Sequence, residues 1–211
     1  MTIAEPMTML TDYALAGVTG WLGWRLYHAR AMQNARLWWA IALIALALAA
    51  VLGGTHHGFA PVLGSGALNL LWKATLTAIG VAFFGMVTGS ARALTVGTLR
   101  TALLALATAQ LVVYLALVMG HDDYILAVAD TAAAMVVLVA LHGWSYAVRR
   151  DRASAFMLLA IAVSAVAVGV QAGRYAPHPH FNHNDLYHVI QIVAMTLLYK
   201  GASLLHDRAT S

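Results

Sequence analysis

Seven apolar runs, most of them near the length of a membrane-spanning helix, follow one another through this chain with only short polar breaks between them. A helix must keep about 20 residues predominantly apolar to cross about 30 Å of hydrocarbon, and a water-soluble core has no need of so many such runs in succession. The runs fall at about 11–28, 35–58, 67–90, 93–119, 123–147, 153–174 and 184–206. Only 9% of the 211 residues are charged and 62% are hydrophobic, whereas a soluble domain carries about 25% charged residues. The sequence therefore predicts a single all-α domain over residues 1–211, a seven-transmembrane helix bundle whose partners are membrane lipids. The opening segment Met1 to Leu10 lacks a basic region and contains Glu5 and Pro6, so it does not read as a cleaved signal.

The basic residues predict orientation. Arg25, Arg30 and Arg36 surround the first connection, Arg92 and Arg100 the third, Arg149, Arg150 and Arg152 the fifth, and Lys200 and Arg208 follow or end the last run. All of these fall on one side of a seven-span chain, leaving Lys73 and Arg174 near the other. Basic loops stay in the cytoplasm, so the N-terminus is expected outside and the C-terminus inside. The minimal loops point to a bacterial inner membrane. Trp21, Trp24 and Tyr27 fit an interfacial aromatic belt. No basic patch of the kind that binds nucleic acid is present, the longest run being Arg149-Arg150-Asp151-Arg152. Oligomeric state leaves no mark on the sequence.

The chain has no cysteine, which leaves nitrogen and oxygen as the donors for any metal. Those donors cluster. His178, His180, His183 and His188 lie with Asp185 where the last run begins, and His56 and His57 close the second run inside Gly53-Gly54-Thr55-His56-His57-Gly58. Imidazoles and carboxylates are costly in hydrocarbon, so their concentration at helix mouths marks a candidate site. Asn184 and Asp185 are four and three residues before His188 and share its helical face. Asn182 or Asn184 can equally cap that helix, with Asp185 at its positive end. Capping accounts for the Asn and Asp but not for His188 a turn deeper, nor for Gln191.

A seven-span layout with a His at the end of helix two and a polar-His motif opening helix seven resembles the membrane hydrolase superfamily of alkaline ceramidases and adiponectin-type receptors. That resemblance implies a zinc ion held by one His of helix two and an HxxxH pair of helix seven. His57 or His56 matches the first ligand and His188 the last, while the first His of HxxxH falls on Asn184, flanked by His183 and Asp185. The superfamily's Ser falls on Gly53, with Thr55 the nearest hydroxyl, and the neighbourhood of its helix-three acid contains Asn69 and Lys73. The implied zinc ligands are then His56 or His57, His188, and Asp185 or His183. Such an ion activates a bound water and polarises a carbonyl. Asp130 or Asp185 would serve as base and Tyr187 or Lys73 would steady an oxyanion. The implied reaction is amide or ester hydrolysis of a lipid-like substrate.

Two other classes compete. One is a non-enzymatic bundle, a sensor or transporter with an outer His-rich metal or proton site. The other binds haem or quinone, which would need histidines on facing helices at matching depth; His142 has only His28 or His206 to pair with. Lys73, six residues into the third run, either pairs with Asp130 or extends to the interface.

Overall fold

The computed structural model describes residues 3–209. They form seven helices: α1 (Pro6–His28), α2 (Asn34–Phe59), α3 (Ser65–Leu94), α4 (Gly97–Gly120), α5 (Ile125–Arg149), α6 (Arg152–Ala172) and α7 (His183–Ser203). The one β feature among the described residues is a single bridge between His178 and Phe181 in the last loop. Helices α2 to α6 are each long and apolar enough to cross a membrane, and the chain is an integral membrane protein. Helices α1 and α7 are poorer in apolar residues because Thr8, Thr11, Asp12 and Thr19 on the first, and Asp185, His188 and Gln191 on the second, are buried inside the bundle.

Six helices close a ring in the order α1, α2, α3, α5, α6, α7, and α1 packs back on α7 to complete it. Helix α4 stands outside the ring against α3, touching α5 more lightly. It buries only Ala107, Tyr114 and Val118 and exposes Leu99, Leu106, Val112 and Val113, an apolar surface suited to lipid. The main core joins Leu22 and Leu26 of α1, Trp39 and Leu43 of α2, and Met86 of α3 with Leu138, Met157 and Leu198. Lipid offers no hydrophobic drive for helices to associate, so close backbone approach and dispersion must hold them. Gly85 and Gly89 provide it on α3: a Cβ at Gly85 would stand 2.9 Å from the Trp38 carbonyl, and one at Gly89 2.9 Å from that of Ala35.

Helix α1 starts at Pro6, about a turn before the expected residue 11. Proline in the first turn has its φ already set for a helix and no amide to satisfy. The Ala4 amide donates to the Gly58 carbonyl at 3.1 Å, tying the start of α1 to the end of α2. That extra turn brings Thr8 onto the helical face of Thr11. At the opposite end the C-terminal tail fastens the bundle. Asp207 accepts the amides of Asn34 and Ala35, both at 2.7 Å, at the positive end of α2. Arg208 donates to the carbonyls of Arg92 and Leu94, and Arg100 donates to the Arg208 carbonyl at 2.6 Å. All the arginines but Arg174 thus gather at one end of the bundle, and the 173–182 loop with the end of α2 lies at the other.

Candidate functional site

The Asn182 side chain opens α7 by accepting the amides of Asn184 at 2.7 Å and Asp185 at 3.3 Å, and Asp185 Oδ2 accepts the Asn182 amide at 2.7 Å. This reciprocal capping box leaves Asp185 Oδ1 free to face α1, where the Thr8 hydroxyl donates to it at 3.0 Å. One turn on, His188 meets α1 with both ring nitrogens. Nδ1 is 3.0 Å from the Thr11 hydroxyl and Nε2 is 3.2 Å from Asp12 Oδ1. Asp185 is 1%, Asp12 6% and His188 9% exposed. Thr8, Thr11 and Asp12 are spaced to share one face of α1, as Asp185 and His188 share one of α7. Two polar helix faces therefore close on each other and clamp the first helix to the last.

The hydrogens of this clamp can be arranged in two ways. In one, Thr11 donates its hydrogen to the Met7 or Thr8 carbonyl, both at 3.0 Å. Nδ1–H then donates to the Thr11 oxygen, and the Nε2–Asp12 contact needs one proton shared between them. In the other, Thr11 donates to Nδ1 and Nε2–H donates to Asp12, so Nδ1 carries no hydrogen and the pair holds one proton fewer. The two patterns differ by one proton and a hydroxyl rotation. Asp12 and Asp185 lie together here, with Glu5 and His57 at the rim, and no Lys or Arg forms an ion pair with any of them among the described residues. Buried carboxylates without a cation are costly, and the protonated pattern is the one that removes a charge.

The other predicted residues are placed differently. His56 packs its ring against Trp72 at 5.5 Å and His57 at 5.9 Å, and His57 Nδ1 is 3.5 Å from Glu5. Thr55 is engaged by the Tyr13 hydroxyl at 2.9 Å. His183 is the first residue of α7 and half-buried; Tyr187 is half-buried with its ring edge-on to His188. Lys73 turns to Asp122 at 3.0 Å and to the last carbonyls of α4, so it extends to the helix end rather than pairing with Asp130. Asp130 is on α5 with Gln110 of α4. The structure thus joins Asp185 and His188, adds Thr8, Thr11 and Asp12, and sets Lys73 and Asp130 in another part of the bundle.

As folded, these residues do not fit the zinc ion that the resemblance implies. His188 has both nitrogens committed to α1, both Asp185 oxygens accept hydrogen bonds, and the rings of His56 and His57 are turned to Trp72 and Glu5. No three His, Asp or Glu side chains stand close enough to share a metal among the described residues. The haem arrangement fares no better: the His142 nitrogens take the hydroxyls of Ser90 and Ser154, each at 3.0 Å, while His28 and His206 are exposed.

Fold and site together define a helical integral membrane protein in which a buried carboxylate–imidazole pair joins the first and last helices. The chain belongs to a family of unknown function, DUF6962, whose model matches residues 7–207 and so takes in both halves of the clamp. No curated protein and no solved structure matches it.

Proposed function

We propose that this protein is a non-enzymatic, proton-responsive membrane sensor, with the Asp12–His188 pair as its proton site and the α1–α7 contact as the element it controls. The observation that carries this reading is the 3.2 Å approach of His188 Nε2 to Asp12, buried between two helices that are otherwise joined by hydroxyl contacts. Proton uptake discharges the pair and favours the closed clamp. Proton loss leaves carboxylates facing each other across the same interface and loosens it. The arginine-rich end lies in the cytoplasm by the positive-inside rule, which places the N-terminus and the clamp on the non-cytoplasmic side, in a bacterial inner membrane.

Amide hydrogen exchange of the purified protein in lipid nanodiscs tests this. The first turns of α1 and α7 are expected to exchange faster as pH rises through a single step, and the step is expected to vanish in Asp12→Asn. An unchanged step in that variant would contradict the reading. The competing proposal, zinc-dependent hydrolysis of a lipid-like amide or ester, requires His188 and His57 to leave their present partners. Stoichiometric zinc in the purified protein, lost in both His188→Ala and His57→Ala, would establish that proposal instead.

A further inference from the structure

Asp130 is the other acid enclosed by the helices, and its surroundings are unlike those of the clamp. It is 8% exposed. The Gln110 amide donates to its Oδ1 at 2.8 Å and lies 3.2 Å from its backbone carbonyl. Its Oδ2 is buried and has no hydrogen-bond partner among the described residues. Asp130 and Gln110 line a cavity of about 10 Å³ between α3, α4 and α5, otherwise walled by Gly80, Phe83 and Phe84 among other apolar residues. A cavity of about 10–15 Å³ holds one water.

The elements packed against Asp130 hold their charged groups elsewhere. On α3, Lys73 is committed to Asp122 and Arg92 lies in the last turn. On α4, Arg100 donates to the Thr95 and Arg208 carbonyls, and Tyr114 gives its hydroxyl hydrogen to the Leu76 carbonyl at 2.8 Å. On α6 the one titratable group is Arg152, at the far end. On α5 itself, His142 is held by Ser90 and Ser154, while Tyr146 and Arg149 lie beyond it toward the arginine-rich end. Among the described residues no cation pairs with the carboxyl, and a lone carboxylate in hydrocarbon is costly. A neutral acid answers the geometry: its carbonyl oxygen accepts Gln110 and its hydroxyl hydrogen points into the cavity.

We propose that Asp130 is a second proton-binding site, held as a carboxylic acid between Gln110 and one water in the cavity that α3, α4 and α5 enclose. The site is independent of the clamp, since it lies on different helices and uses none of its residues. It is closed over by α4, the helix with the fewest buried residues, so proton exchange at Asp130 accompanies displacement of α4 from α3 and α5. Occupancy by a proton and seating of α4 are thereby linked.

Infrared spectroscopy of the full-length protein in nanodiscs at neutral pH is the test. A carboxylic-acid C=O band is expected in the wild type and is lost in Asp130→Asn. Gln110→Leu, which removes the donor to that C=O, shifts the same band to higher wavenumber and keeps the test open should Asp130→Asn fail to fold. Retention of the full acid band in Asp130→Asn, or an unmoved spectrum in Gln110→Leu, would overturn the proposal. Abolition of the band by sodium chloride at constant pH would also overturn it, because the site would then be one for a monovalent cation.

Discussion

His188 touches α1 through both of its nitrogens, and of the two groups it meets only Asp12 depends on it, because the Thr11 hydroxyl keeps the Met7 and Thr8 carbonyls. His188→Ala leaves Asp12 facing a void in the protein interior, and an unpaired buried polar group costs about 1–3 kcal/mol. Unfolding in mixed detergent micelles should show a loss of at least that order. Asp12→Asn, which keeps a neutral side chain able to hydrogen-bond Nε2, should cost less. At the other end of the bundle, burial acts to raise the pKa of Asp151, but hydrogen bonds from the Ser145 hydroxyl and from Ser154, together with nearby His142, hold it below the ordinary aspartate value. A carboxylate with a depressed folded-state pKa contributes stability above the ordinary value and loses it as pH falls through the lower one. Asp151 also caps α6, which is worth about 1 kcal/mol. Wild-type stability should therefore drop on acidification below about pH 4, and Asp151→Asn should start lower and lose that part of the pH dependence. The residues of α7 in the clamp are visible in the sequence as Asn184-Asp185-Leu-Tyr-His188. Their partners carry a weaker mark, the spacing Thr8-x-x-Thr11-Asp12. The pairing itself joins positions 177 residues apart, and no local pattern encodes a contact of that range.

At the scale of the helix, hydropathy locates all seven elements because each must hide its backbone in hydrocarbon and show apolar side chains to lipid. It misplaces the start of α1, since Pro6 and the polar turn that follows are held by α2 and α7 rather than by lipid. It equally misses that α1 and α7 are the least apolar helices because their polar faces meet. The approach of α1 to α2 is set by Gly54, where an added Cβ would lie 2.8 Å from the Asp12 Cβ. Gly54→Ala alters neither member of the proton pair and leaves the charges untouched. It should nonetheless displace Asp12 and weaken its link to His188, read as a smaller pH-dependent change in hydrogen exchange across α7. An exchange profile identical to wild type would show that α1 tolerates the shift.

Across the whole molecule, the ring of six helices with α4 outside has both of its proposed proton sites away from the arginine-rich end. Asp12 and His188 lie on the closing seam, and Asp130 lies under the helix that stands apart. The absence of cysteine makes the orientation directly testable. A membrane-impermeant maleimide applied to intact cells should label His180→Cys, while Arg150→Cys should be labelled only after permeabilisation; the reverse pattern would invert the topology. The charges give only an expected direction for the chain, which this labelling tests, whereas which helices neighbour which depends on packing among alanines and glycines that resemble one another in every run.

The central claim is that Asp12 and His188 hold one exchangeable proton between them. Nitrogen-15 NMR of the His188 imidazole as a function of pH measures this most directly. The account predicts a single step in which the ring gains a proton or changes tautomer, displaced in Asp12→Asn. A ring that keeps a single neutral tautomer across the whole range, or that titrates identically in the variant, would contradict it.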